Sequence, residues 1–146
     1  MQNKKIFWMT LLICLFILHP PIWTANLNCD VCGMTLSENA KNHIVLKNEA
    51  VEKNTLHVCS FTCFLKAKKN APKYSKVEIS DFNNPGKFLD ADKAFFLVKS
   101  AKIKKDLGEL VMPPYFGAFA TKQLAETAKA KYGDGIVVRG IDNAAK

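Results

Sequence analysis

The stretch Thr55-Leu-His-Val-Cys-Ser-Phe-Thr-Cys-Phe-Leu-Lys-Ala-Lys-Lys-Asn70 begins as a β-prone run and continues as a helical one. Thr55–Val58 has the residue types of a short strand. Ser60 is a good helix N-cap, lysines crowd the far end, where they suit the negative pole of a helix, and Pro72 closes the segment. Working outward, His43–Lys47 is a second β-prone run, joined to the first by the polar stretch Asn48–Asn54 of a plausible hairpin. On the other side, Lys76-Val-Glu-Ile-Ser80 alternates as a strand should. The order is β-β-α-β.

The same order recurs downstream. Ala94–Val98 and Tyr115–Phe119 read as strands, Thr121 caps a helix to about Tyr132 with Leu124, Ala125 and Ala128 on one face, Gly133 and Gly135 stop it, and Ile136–Val138 is the closing strand. The predicted fold is therefore α+β, two small β-β-α-β units in halves of about 29–82 and 90–140. Units of roughly 50–60 residues are marginal alone, so the two are expected to share one core.

Length and composition agree with this. The chain has 146 residues, 49% hydrophobic and 23% charged, which suits one ordinary domain and excludes a disordered chain. Five cysteines are too few for a disulfide-dense miniprotein. At the N-terminus, Lys4 and Lys5 precede a charge-free apolar run of 13 residues, Ile6–Leu18, which His19, Pro20 and Pro21 break. A membrane-spanning helix needs about 20 apolar residues, so residues 1–25 read as a secretory signal peptide or, uncleaved, as a signal anchor. Residues 26–146 form the working domain, Cys14 belongs to the signal, and an exported, periplasmic protein is expected.

The formal net charge is +8, of which Lys4 and Lys5 carry two. The remaining lysines are scattered, Arg139 is the one guanidinium, and no aromatic residues interleave with a basic run, so nucleic acid is not an expected partner. A membrane surface and an acidic protein remain as partners for the positive charge.

The chemistry-bearing residues lie in the first half. Cys29-Asp-Val-Cys32 is followed by Gly33 and Met34, and 26 residues separate Cys32 from Cys59-Ser-Phe-Thr-Cys63. Glycine after C-x2-C allows the positive φ of a tight knuckle on which two thiolates converge. Cys59 and Cys63, four apart at a helix start, project from nearly one face, where backbone N–H groups favour thiolate. Three readings stand: two disulfides bridging across the pairs, a structural Zn²⁺ site of four cysteines, or a site for Cu(I), which prefers thiolate and thioether sulfur. His57 lies two residues before Cys59 and shares its face if the strand continues; Met34 and Met112 supply thioethers.

Together these residues resemble a known family. Cys29-Asp-Val-Cys-Gly-Met34, His57–Leu65, Val77–Phe82, Asp90–Val98 and Met112-Pro-Pro-Tyr-Phe-Gly-Ala-Phe-Ala120 look like NosL, the accessory protein of nitrous oxide reductase, in the same order and over almost all of the domain. The paired-cysteine spacing also resembles TRASH-type metal-binding domains. The resemblance implies an exported, usually lipid-anchored copper chaperone that binds Cu(I) and delivers it to nitrous oxide reductase or its copper-assembly machinery. On matching positions it implies ligands from Cys29 or Cys32 and from Met112, with Met34 in the motif. The chain departs from the family pattern in lacking a good lipobox before Cys29, and in having His57, Cys59 and Cys63, which enlarge the site or admit zinc.

An enzyme is not expected. No third group orients His57 beside Cys59, and Cys29-Asp-Val-Cys32 lacks the preceding strand and following helix of a thiol–disulfide oxidoreductase.

Overall fold

The computed structural model describes residues 27–37, 39–48, 55–70, 74–108 and 111–146. The signal segment, most of the hairpin stretch and Pro72 lie outside the described residues. The described residues open with two antiparallel two-residue strands, β1 (Leu27–Asn28) and β2 (Thr35–Leu36). Next come β3 (Ile44–Lys47), β4 (Thr55–Val58), α1 (Phe61–Asn70), β5 (Lys76–Ser80) and β6 (Phe88–Asp90), the strands forming an antiparallel sheet of order β4-β3-β5-β6. The second half contains β7 (Phe95–Val98), a 3-10 helix (Lys102–Asp106), β8 (Phe116–Phe119), α2 (Lys122–Tyr132) and β9 (Ile136–Arg139), with strand order β8-β7-β9. A short α3 (Ile141–Ala144) ends the chain. Each half thus places its first strand between its second and third, so the two halves share a strand order. Among the described residues no helix is long and apolar enough to cross a membrane.

Alternation along the strands shows how the halves join. Phe96 and Val98 of β7 and Phe116 and Ala118 of β8 point into a core shared with Ile44, Leu46, Val58, Ile79 and the α1 residues Phe61, Phe64 and Ala67. Phe61 stacks on Phe116, ring centroids 3.9 Å apart and planes at 16°. The opposite face of the same sheet, through Leu97 and Phe119, packs on Ala125, Ala128 and Tyr132 of α2, with Ile103 of the 3-10 helix and Phe82. A sheet covered on both faces needs apolar residues at every position, which is why Phe95–Val98 and Phe116–Phe119 read as continuous apolar runs. Gly117 is needed for packing: a Cβ there would meet Ile103 at 2.8 Å and Phe82 at 2.9 Å.

The helix ends follow the sequence signals. Thr121 Oγ1 accepts from the Leu124 N–H, and Gly133 closes α2 in the left-handed conformation at φ 72°. One expectation is corrected. Leu124 is 39% exposed, because the buried stripe of α2 runs through Ala125, Ala128 and Tyr132 and leaves its neighbour at the edge. At the end of α2, the Tyr132 hydroxyl donates to Asp106 at 2.5 Å and Lys131 pairs with it at 2.9 Å, fastening the 3-10 helix. The Tyr132 hydrogen bond, then Lys131, holds the Asp106 carboxyl down at about 2.

Candidate metal centre

The knuckle between β1 and β2 is closed by backbone groups. Gly33 adopts φ +75° and donates its N–H to the Cys29 carbonyl at 2.8 Å, while the Cys29 N–H donates to the Met34 carbonyl at 2.8 Å. Two bonds tie this knuckle to the end of β4: Asp30 N–H to the His57 carbonyl at 2.8 Å, and His57 N–H to Asp30 Oδ2 at 2.6 Å. Just beyond, the chain turns from strand to helix. Ser60 caps α1, its Oγ accepting from the Cys63 N–H at 3.2 Å, and Asn42 Nδ2 donates to the Cys59 carbonyl at 2.5 Å. A strand end, a helix start and a knuckle therefore converge on one point.

At that point the sulfurs of Cys29, Cys32, Cys59 and Cys63 all lie within 4.8 Å of one another. Cys32 Sγ is 3.5 Å from Cys59 Sγ, which is 3.7 Å from Cys63 Sγ. All four are free thiols. A tetrahedral ion with Zn–S bonds of about 2.3 Å would space its sulfurs about 3.8 Å apart, so these separations suit a sulfur-coordinated ion. Cys29, Cys59 and Cys63 are each 2% exposed, whereas Cys32 is exposed. The cluster is buried on three sides and opens through one sulfur.

The thiols are electrostatically unequal. Burial opposes ionisation of Cys29, but hydrogen bonds from the backbone of Cys32 and Val31, the Cys32 thiol and the backbone of Cys59 outweigh it and bring Cys29 to about 7. Burial pushes Cys59 and Cys63 up, and the Cys29 charge adds to the effect on both. One negative charge is thus available near neutral pH, and a cation must displace protons to engage Cys59 and Cys63.

Met34 is partly buried and packs against the shared core. With Cys59 it lines a groove of about 420 Å³, whose far wall is Leu107, Gly108 and Val111 of the second half. Met112, next to Val111, is 39% exposed and precedes the cis Pro113-Pro114 bond. His57 and Cys59 do not share a strand face, because β4 ends at Val58 and Cys59 already belongs to the turn into α1. The His57 ring instead bonds His43, Nδ1 to Nε2 at 2.9 Å, and the four-sulfur group does not include it. Asp30, Asn42 and His43, which brace the site, had no local signal beyond being polar. Their partners are 14 to 27 residues away in sequence.

No family model and no curated protein matches this chain. Among solved structures it is similar to the copper chaperone NosL from Shewanella denitrificans, at 25% identity and a TM-score of 0.59, over 77% of this chain and 86% of that one. That neighbour is a chaperone and not an enzyme. The NosL resemblance carried by the cysteine and Met-Pro motifs is thus matched in three dimensions, and the fold with its four-cysteine cluster supports a metal-binding chaperone.

Proposed function

We propose that the chain is an exported carrier of Cu(I) that serves the assembly of the copper centres of nitrous oxide reductase. The observation that carries this reading is a four-sulfur cluster with one exposed member, in a fold similar to that of a copper chaperone. Sulfur donors suit a soft monovalent ion. Cys29, near ionisation at neutral pH, is the natural first ligand, and Cys32 is the sulfur an incoming acceptor can reach. Exchange through Cys32 lets the ion pass without unfolding the buried side of the site. Met112 is proposed as a further thioether ligand, and Met34 as part of the wall beside Cys59.

A second reading, a structural Zn²⁺ module, is favoured by the completeness of the set, since four cysteines already fill a tetrahedral shell. Cu(I) and Zn²⁺ competition against chromophoric chelators, on anaerobically purified protein, separates the two. The carrier reading expects Cu(I) to displace Zn²⁺, metal-free protein to stay folded, and Cys32→Ser to slow transfer. Unfolding on metal removal, with tight Zn²⁺ retention, would establish the structural module instead.

A further inference from the structure

The 3-10 helix presents Lys102, Lys104 and Lys105, all exposed, around a cleft of about 500 Å³ lined by these three residues with Ala101 and Gly108. Gly108 also lines the groove that reaches Cys59 and Met34. Gly108 is thus a wall residue of both the lysine cleft and the sulfur groove. The described carboxylates nearest in the fold are engaged internally. Asp134 accepts from the Ser100 hydroxyl and from the N–H groups of Ala101 and Lys102, capping the 3-10 helix. Asp106 is held by Tyr132 and Lys131. The Lys104 and Lys105 ammonium groups lie over the rings of Tyr115 and Tyr132 at 5.6 Å and 5.8 Å. Among the described residues, no ion pair with a carboxylate is formed by any of the three lysines.

We infer that this cleft is the docking site for an acidic segment of the protein that exchanges metal with the cluster, holding that partner beside the sulfur groove while its own metal-binding residue reaches the exposed Cys32. The inference rests on the carrier reading and adds the chemistry of the partner. The three lysines give the cleft a positive charge suited to an acidic segment, and Gly108 places it next to the groove that Met34 and Cys59 line. Such patches act mainly on encounter rate and orientation, and they weaken as salt screens them.

The experiment measures Cu(I) transfer from the loaded full chain to two synthetic peptides with the same Cys-Ala-Ala-Cys acceptor, one with a glutamate-rich flank and one with a glutamine-rich flank. Transfer to the acidic peptide is expected to be about tenfold faster at low salt, with the advantage fading as ionic strength rises. The combined variant Lys102→Gln, Lys104→Gln, Lys105→Gln should lose the advantage while keeping its Cu(I) affinity. Equal rates for the two peptides in wild-type protein overturn the inference, whatever the variant does. Binding of wild type but not the variant to phosphatidylglycerol vesicles, with no preference for the acidic peptide, also overturns it and assigns the patch to lipid. If the chain takes up no Cu(I), the carrier reading fails. Anisotropy of the labelled acidic peptide then tests docking by itself, with loss of binding in the variant supporting it and equal binding overturning it.

Discussion

The two halves share a strand order and differ in what they do with it. In each, the first strand is central, the second and third flank it, and a capped helix sits between them. The first half leaves β4 at Cys59 and meets a cysteine knuckle there, so its strand-to-helix corner becomes a sulfur cluster. The equivalent corner of the second half is Ala120 and Thr121, with nothing to ligate a metal. Its sheet is instead buried on both faces, by the first half and by α2. One supersecondary unit thus supplies a site and the other a platform that stiffens it.

This contrast can be broken most severely at the joint. Phe116→Ala removes the ring stacked on Phe61 and should cost about 3–5 kcal/mol, read by denaturant unfolding. Both halves should still unfold together; separate transitions would show that they do not share one core.

Acid should act on the first half before the second. His43, 2% exposed, is held down at about 4, first by burial and then by His57. Its folded pKa is below the unfolded value, so the unfolded chain binds more protons and stability falls as pH drops from about 6.5 toward 4. The shift corresponds to a loss of about 3 kcal/mol when complete. Thermal melts of the reduced, metal-free protein across this window should show the loss, and His43→Gln should flatten it. Asp106 is also depressed, to about 2, so its contribution is intact above about 4 and is lost in a lower window, as pH falls from about 4 toward 2.

Metal affinity sharpens the comparison next. Cys59→Ser should weaken metal binding about a hundredfold, since a quarter share of the roughly 10–16 kcal/mol of a complete structural zinc site is about 3 kcal/mol. Chelator competition checks it, with Met112→Leu alongside. A large loss in Met112→Leu and none in Cys59→Ser would move the site away from the four-sulfur cluster.

The smallest effect comes from the paired helix caps. Ser60→Ala and Thr121→Ala should each cost about 1 kcal/mol of stability. Ser60→Ala alone should also reduce metal affinity, since its hydroxyl holds the Cys63 backbone. Equal effects of both variants on binding would mean that cap geometry does not reach the site.

Much of this was legible because it is local. The Ser60 and Thr121 caps, the Gly33 and Gly133 turns and the strands at 55–58 and 76–80 depend on neighbours a few residues away. The two-residue strands β1 and β2, the edge strand β6 and the 3-10 helix carried too little periodicity to read. Leu124 fell on the wrong side of its stripe because residue type alone does not fix a helix's rotation against a sheet.

By itself, the sequence determined the repeated β-β-α-β order and the pairing of cysteines at a knuckle and a helix start. Turn, cap and strand preferences are set by short-range sterics and hydrogen bonding, which any reader of the chain can apply. Only the tertiary structure decided that the two pairs meet, that Cys32 alone faces out, and that the His57 ring turns to His43. These depend on where β4 ends and on bonds between Asp30 and His57 across 27 positions. Contacts of that separation form only when the whole core closes, because the loop entropy they cost is offset by burial elsewhere in the fold.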